Sequence, residues 1–133
     1  MLPEGIGELI ERALAEDVGD GDHTSLSTIP ADARGAAHLL VKASGVLAGM
    51  EMASAVCARV DADLNLRPML KDGARVSPGD VAFTLNGPSR SILLAERVLL
   101  NFMQRMSGIA TLTRSFVDVL EGTKCQVLDT RKT

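Results

Sequence analysis

The stretch Arg90–Gly108, R-S-I-L-L-A-E-R-V-L-L-N-F-M-Q-R-M-S-G, constrains the fold of this chain more than any other. Ile92, Ala95, Leu99, Phe102, Met103 and Met106 recur at the spacings of one face of an α-helix. Leu93, Leu94, Val98 and Leu100 widen that stripe over most of the circumference, leaving a narrow polar sector of Arg97, Asn101, Gln104 and Arg105. A helix apolar nearly all round is covered on several sides. It is therefore expected to pack against its own domain and also against a second domain or subunit. A partly covered arginine in its polar sector then needs an anionic partner, because burying it unpaired is costly. Ser107-Gly108 predicts an interruption, with a new periodic run starting at Ile109.

Upstream of this helix the pattern is mixed. Ile6, Leu9, Ile10, Ala13 and Leu14 follow helical spacing and predict a short surface helix. The segment Glu16–Ser25 then crowds acids, glycines and His23 together. Its spacing misses the calcium-loop pattern, so it is read as a tight loop whose Asp and Thr side chains bond nearby backbone amides. No metal ligand is assigned to it. Ala36–Lys42 and Leu64–Met69 are expected strands, the second confined by Pro68 to an edge or an end. Between them Ser44–Gly49 is a turn and Met50–Val60 a helix with Met50, Ala53, Cys57 and Val60 on one side. Lys71–Gly87 holds short strands around Gly-punctuated turns. His38, among apolar strand residues, is taken as a core or edge histidine.

Composition narrows the function classes. Hydrophobic residues make up 46% of the 133, enough for a packed core, whereas aromatics are only 2%. That scarcity speaks against single-stranded nucleic-acid binding, which uses aromatic stacking platforms. A formal charge of -3 speaks against a general nucleic-acid or anionic-membrane binder. No apolar run is long enough to cross a bilayer. Cys57 and Cys125 are read as reduced, buried thiols of a cytoplasmic protein without a signal segment.

Past the central helix, Ile109, Leu112, Thr113, Phe116 and Leu120 continue a helical face that Glu121-Gly122-Thr123 stops. Lys124–Asp129 is expected to be a short buried strand. A helix followed by a lone strand opens an α/β repeat, and complete barrels run to about 250 residues. The division predicted is therefore an α+β domain over 1–108 and the start of a truncated barrel over 109–133.

Two resemblances follow from these motifs. The rhythm D-G-x-x-V-x-x-G-D-x-x-x-x-L from Asp72 to Leu85 resembles the strands of biotinyl and lipoyl carrier domains, but Lys42 and Lys71 lack the setting of a modified lysine. The segment E-R-V-L-L-N-F-M-Q-R-M-S-G-I-A-T-L-T, followed by L-D-T-R-K-T, closely resembles quinolinate phosphoribosyltransferases. E-D-V-G-D-G-D-H-T-S, A-S-G-V-L-A-G and D-G-A-R-V-S-P-G-D agree with it, so the likeness covers essentially the whole chain.

This second resemblance implies an α+β fold, an open-faced sandwich followed by the first helix and strand of an α/β barrel, paired head-to-tail in a homodimer or higher homo-oligomer. It implies transfer of phosphoribose from phosphoribosyl pyrophosphate to quinolinate, with decarboxylation to nicotinate mononucleotide in NAD biosynthesis. Magnesium is the implied cofactor, its ligands expected beyond Thr133. Arg105 resembles an arginine reaching into a partner subunit's active site. Thr130, Arg131 and Lys132 match the substrate-contacting segment at the mouth of the first barrel strand, with Lys132 the candidate catalytic residue. Residues 1–133 alone are expected to be inactive. The other readings are a related phosphoribosyltransferase acting on nicotinate or another base, and a non-catalytic dimerisation module.

Overall fold

The computed structural model describes residues 2–130. The chain runs α1 (Ile6–Val18), α2 (His23–Thr28), β1 (Arg34–Leu40), β2 (Gly45–Val46), α3 (Met50–Val60), β3 (Asn65–Pro68), β4 (Arg75–Val76), β5 (Val81–Pro88) and α4 (Ser89–Val119). This is an α+β arrangement of two small antiparallel sheets with helices packed on them. In the larger sheet β5 lies between β1 and β3, and in the smaller one β2 pairs with β4.

Alternation along β5 decides which face is covered. Phe83 and Leu85 are buried against the helices, whereas Asn86 points outward and is exposed. On the outward side Thr84 pairs with His38 of β1 and Arg67 of β3, giving a polar row across the open face. His38 is therefore an exposed residue of an edge strand, as one of the two expectations had it. Pro68, which has no N–H to donate, ends edge strand β3, where such a residue is tolerated.

The core is aliphatic and Met-rich. Met52, Ala53, Val56 and Cys57 of α3 meet Ala95, Val98, Leu99 and Met103 of α4 above the sheet, and Ile10 of α1 closes one side. Burial pushes the Cys57 thiol up to about 11, so it is an inert packing group. Cys125 differs from the expectation and is exposed.

Three further expectations are corrected. The loop after α1 contains a short helix, α2, capped by Asp22, whose carboxylate accepts the Ser25 N–H at 3.1 Å. Ser107-Gly108 does not interrupt α4, which continues unbroken for 31 residues. Glycine in a helix interior costs about 1 kcal/mol, and that cost is outweighed by the hydroxyl contacts that Ser107 and Thr111 make on either side of it. Lys124–Asp129 forms no strand and is exposed. A strand needs a neighbour to take up its backbone groups, and no described strand lies beside it.

Candidate functional site

The residues that could carry chemistry are arranged around α4. The helix starts just after Pro88, where the Ser89 N–H donates to the Ala33 carbonyl at 2.8 Å. Its first half is clad by the chain's own core through Ala95, Val98 and Leu99. Its second half is not. Ile109, Leu112 and Phe116 are 60, 62 and 59% exposed. Together with Arg105 they lie at i, i+4, i+7 and i+11, on a single face. The expectation of a helix covered on several sides thus holds within this chain only as far as Met103.

The polar sector is open. Arg97 reaches Asp17 of α1 at 3.3 Å while remaining mostly exposed, so this pair contributes little to stability. Arg105 is exposed, and no ion pair holds it among the described residues. It is an exposed guanidinium on a long helix, next to an apolar face.

The opposite side of α4 docks on β2 through hydroxyl groups. The Ala48 N–H donates to Ser107 Oγ at 3.0 Å, and that hydroxyl donates back to the Ala48 carbonyl at 3.1 Å. The Val46 N–H donates to Thr111 Oγ1 at 2.9 Å, and the Thr111 hydroxyl donates to the Ser107 carbonyl at 2.7 Å. One edge of β2 pairs with β4, while on the other Thr111 takes up the Val46 N–H and Ser107 engages Ala48 just past the strand. Two glycines let the helix approach this closely. A Cβ on Gly45 would stand 2.6 Å from Thr111 Oγ1, and one on Gly49 would stand 3.1 Å from Met106 Sδ. The motifs A-S-G-V-L-A-G and M-S-G-I-A-T are therefore the two halves of one contact.

Of the expected site residues, Arg105 lies on α4 and Thr130 follows the exposed segment after it. Arg131 and Lys132 lie outside the described residues. That terminal segment folds back beside Arg75, Arg114 and Asp118 to line an open groove of about 580 Å³. Neither Arg105 nor Thr130 lines it. Sequence reasoning missed Arg75, whose Nη2 donates to both Asp118 carboxylate oxygens at 2.8 and 2.7 Å and ties β4 to the end of α4. It also missed the roles of Ser107 and Thr111, although their i, i+4 spacing was the available signal.

Around Asp20–His23 the side chains satisfy the loop. Hydrogen bonds from the Ser25 side chain and then its backbone N–H hold the Asp22 carboxyl below the ordinary carboxylate range. Asp20 and His23 face each other at 3.4 Å on the surface. Among the described residues no three His, Cys, Asp or Glu side chains converge to hold a metal ion. No magnesium site is assigned to this loop. No helix among the described residues is long and apolar enough to cross a membrane.

Residues 22–107 match the family model of the quinolinate phosphoribosyl transferase N-terminal domain. The chain belongs to this family. The match runs from the Asp22 cap to the Ser107 hydroxyl, so it takes in both halves of the β2–α4 contact up to that residue. A quinolinate phosphoribosyltransferase [decarboxylating] of Nicotiana tabacum is 45% identical over 126 residues, which are 94% of this chain and 35% of that protein. The nicotinate-nucleotide pyrophosphorylase [carboxylating] of Mycobacterium leprae is 39% identical over 129 residues, 95% of this chain and 45% of that protein. NadC from Streptococcus pyogenes superposes with a TM-score of 0.93 at 36% identity, covering all of this chain and 47% of that one. The chain thus spans between a third and a half of these family members.

Proposed function

We propose that the complete protein transfers phosphoribose from phosphoribosyl pyrophosphate to quinolinate and releases carbon dioxide, forming nicotinate mononucleotide for NAD biosynthesis. In that reaction the pyridine nitrogen bonds to the anomeric carbon as the bond to pyrophosphate breaks. The carboxylate beside the nitrogen then leaves as carbon dioxide, and its electron pair takes up a proton. Both substrates are multiply negative, and negative charge grows on the departing pyrophosphate and on the ring carbon. A site for them needs clustered cations that are already in place.

The observation that carries this reading is Arg105: a guanidinium on a long, well-anchored helix, exposed and with no ion pair among the described residues, in a chain of this family. Arginine offers planar two-point contact to a carboxylate or phosphate. Arg105 is exposed beside the uncovered apolar face of α4, which suits delivery into the site of a second copy in a homodimer or higher homo-oligomer. Thr130, Arg131 and Lys132 are proposed as the segment that meets the same substrate from the other copy, with Lys132 as the catalytic residue. Magnesium is proposed to travel with the pyrophosphate of the donor. Residues 1–108 are proposed as the sandwich domain and 109–133 as the opening of the barrel, in a cytoplasmic enzyme.

Arg105→Ala in the complete protein tests the reading. A lost charge-assisted contact is worth about 1.5–3 kcal/mol, so kcat/KM with quinolinate should fall roughly ten- to a hundredfold. Nicotinate offered in place of quinolinate should give no product. An unchanged rate would remove Arg105 from the site, and turnover of nicotinate would reassign the base.

A further inference from the structure

We infer that Ser107 and Thr111 are positioning residues for Arg105, setting the rotation and height at which α4 presents it. The inference rests on the proposed role of Arg105 in phosphoribosyl transfer and adds residues to it.

Apolar contacts alone would leave α4 poorly indexed. Dispersion and burial are non-directional, and the apolar residues nearest Arg105, Met103 and Met106, are flexible gap-fillers. Hydrogen bonds are directional and weaken steeply when bent. Three bonds join Ser107 and Thr111 to Val46 of β2 and to Ala48 just after it, a fourth ties the Thr111 hydroxyl to the Ser107 carbonyl within α4, and together they cover consecutive turns. Gly45 has no Cβ to hold Thr111 off. Ser107 lies two residues from Arg105 and roughly 200° round the helix from it. Fixing the docked side therefore fixes the direction of the guanidinium. A slide or turn of the helix displaces the tip of so long a side chain further than its base. Misplacement of a charged contact by about 1 Å can cost on the order of a hundredfold in rate.

A kinetic double-mutant cycle in the complete protein tests this. Thr111→Val keeps the side-chain shape and removes both of its hydrogen bonds, whereas Thr111→Ser keeps the hydroxyl. Thr111→Val is expected to lower kcat/KM about tenfold or more, and Thr111→Ser to stay within about threefold of wild type. In an Arg105→Ala background Thr111→Val should cost less than about twofold, because the group it positions is gone. Ser107→Ala, a milder loss, should follow the same pattern and serves if Thr111→Val does not fold. Thermal unfolding of each variant separates misfolding from misplacement. Independent losses that multiply would overturn the inference, as would a Thr111→Val enzyme as fast as wild type. If Arg105→Ala is itself silent, the proposed function of Arg105 falls and this inference with it. A crippled Arg105→Ala enzyme with multiplicative losses sinks the positioning role alone.

Discussion

Gly49 stands at φ +106°, in the left-handed region, immediately before α3 and under Met103 and Met106 of α4. An L-residue there loses about 1–2 kcal/mol from its backbone, and its Cβ would meet Met106 Sδ at 3.1 Å and the Met103 backbone at 3.4 Å. Gly49→Ala is therefore expected to destabilise the fold by about 2 kcal/mol or more, read as a lower midpoint in urea. An unshifted midpoint would mean that α3 and α4 are not held at this separation. That a glycine was required at this position is legible in A-S-G-V-L-A-G as a turn, but not what it makes room for. The methionines that crowd it come from more than fifty positions later. The same holds for Gly45 and Thr111: each motif is visible alone, and their complementarity exists only across the packed contact.

At the scale of elements, α4 decides most of the architecture, and its apolar periodicity was readable throughout. Its length was not. Ser107-Gly108 looks like a stop because serine and glycine are weak helix formers, yet Ser107 is spent on Ala48 and Gly108 stays in the helix. Propensity sets a cost, and tertiary contacts outweigh it. The Arg75–Asp118 pair extends this docking to the end of the helix, with both oxygens engaged. Both side chains are substantially exposed, at 67 and 39%, so its coupling should be below about 1 kcal/mol. A cycle of Arg75→Ala and Asp118→Ala in urea unfolding checks this, and raising the salt should shrink the coupling further. A coupling of several kcal/mol would show that the pair is shielded from solvent in the complete protein. The expected strand at 124–129 failed for a different reason. Leu128 and Val127 have strand-like side chains, but pairing is a property of two segments, and the partner is not among the described elements.

At the scale of the whole molecule, the proposed site is shared. In the proposed arrangement Arg105 comes from one copy and Lys132 from the other, so each variant alone should be strongly impaired. Mixing Arg105→Ala with Lys132→Ala and allowing subunits to exchange creates heterodimers with one intact site. For random exchange this restores about a quarter of the wild-type rate per site. Inactivity that persists after demonstrated exchange would mean that both residues serve the same site from one copy. The sequence by itself determined the α+β class, the helices α1, α3 and α4, the edge position of β3 and the family, because these rest on periodicity, turn chemistry and local motifs that neighbouring residues carry together. Only the tertiary structure decided that α4 runs straight through Ser107-Gly108, that two hydroxyls replace a strand along β2, and that the face bearing Arg105 turns outward. Those outcomes depend on atoms far apart in the chain meeting at hydrogen-bond distance, and no pattern within a single segment records such a meeting.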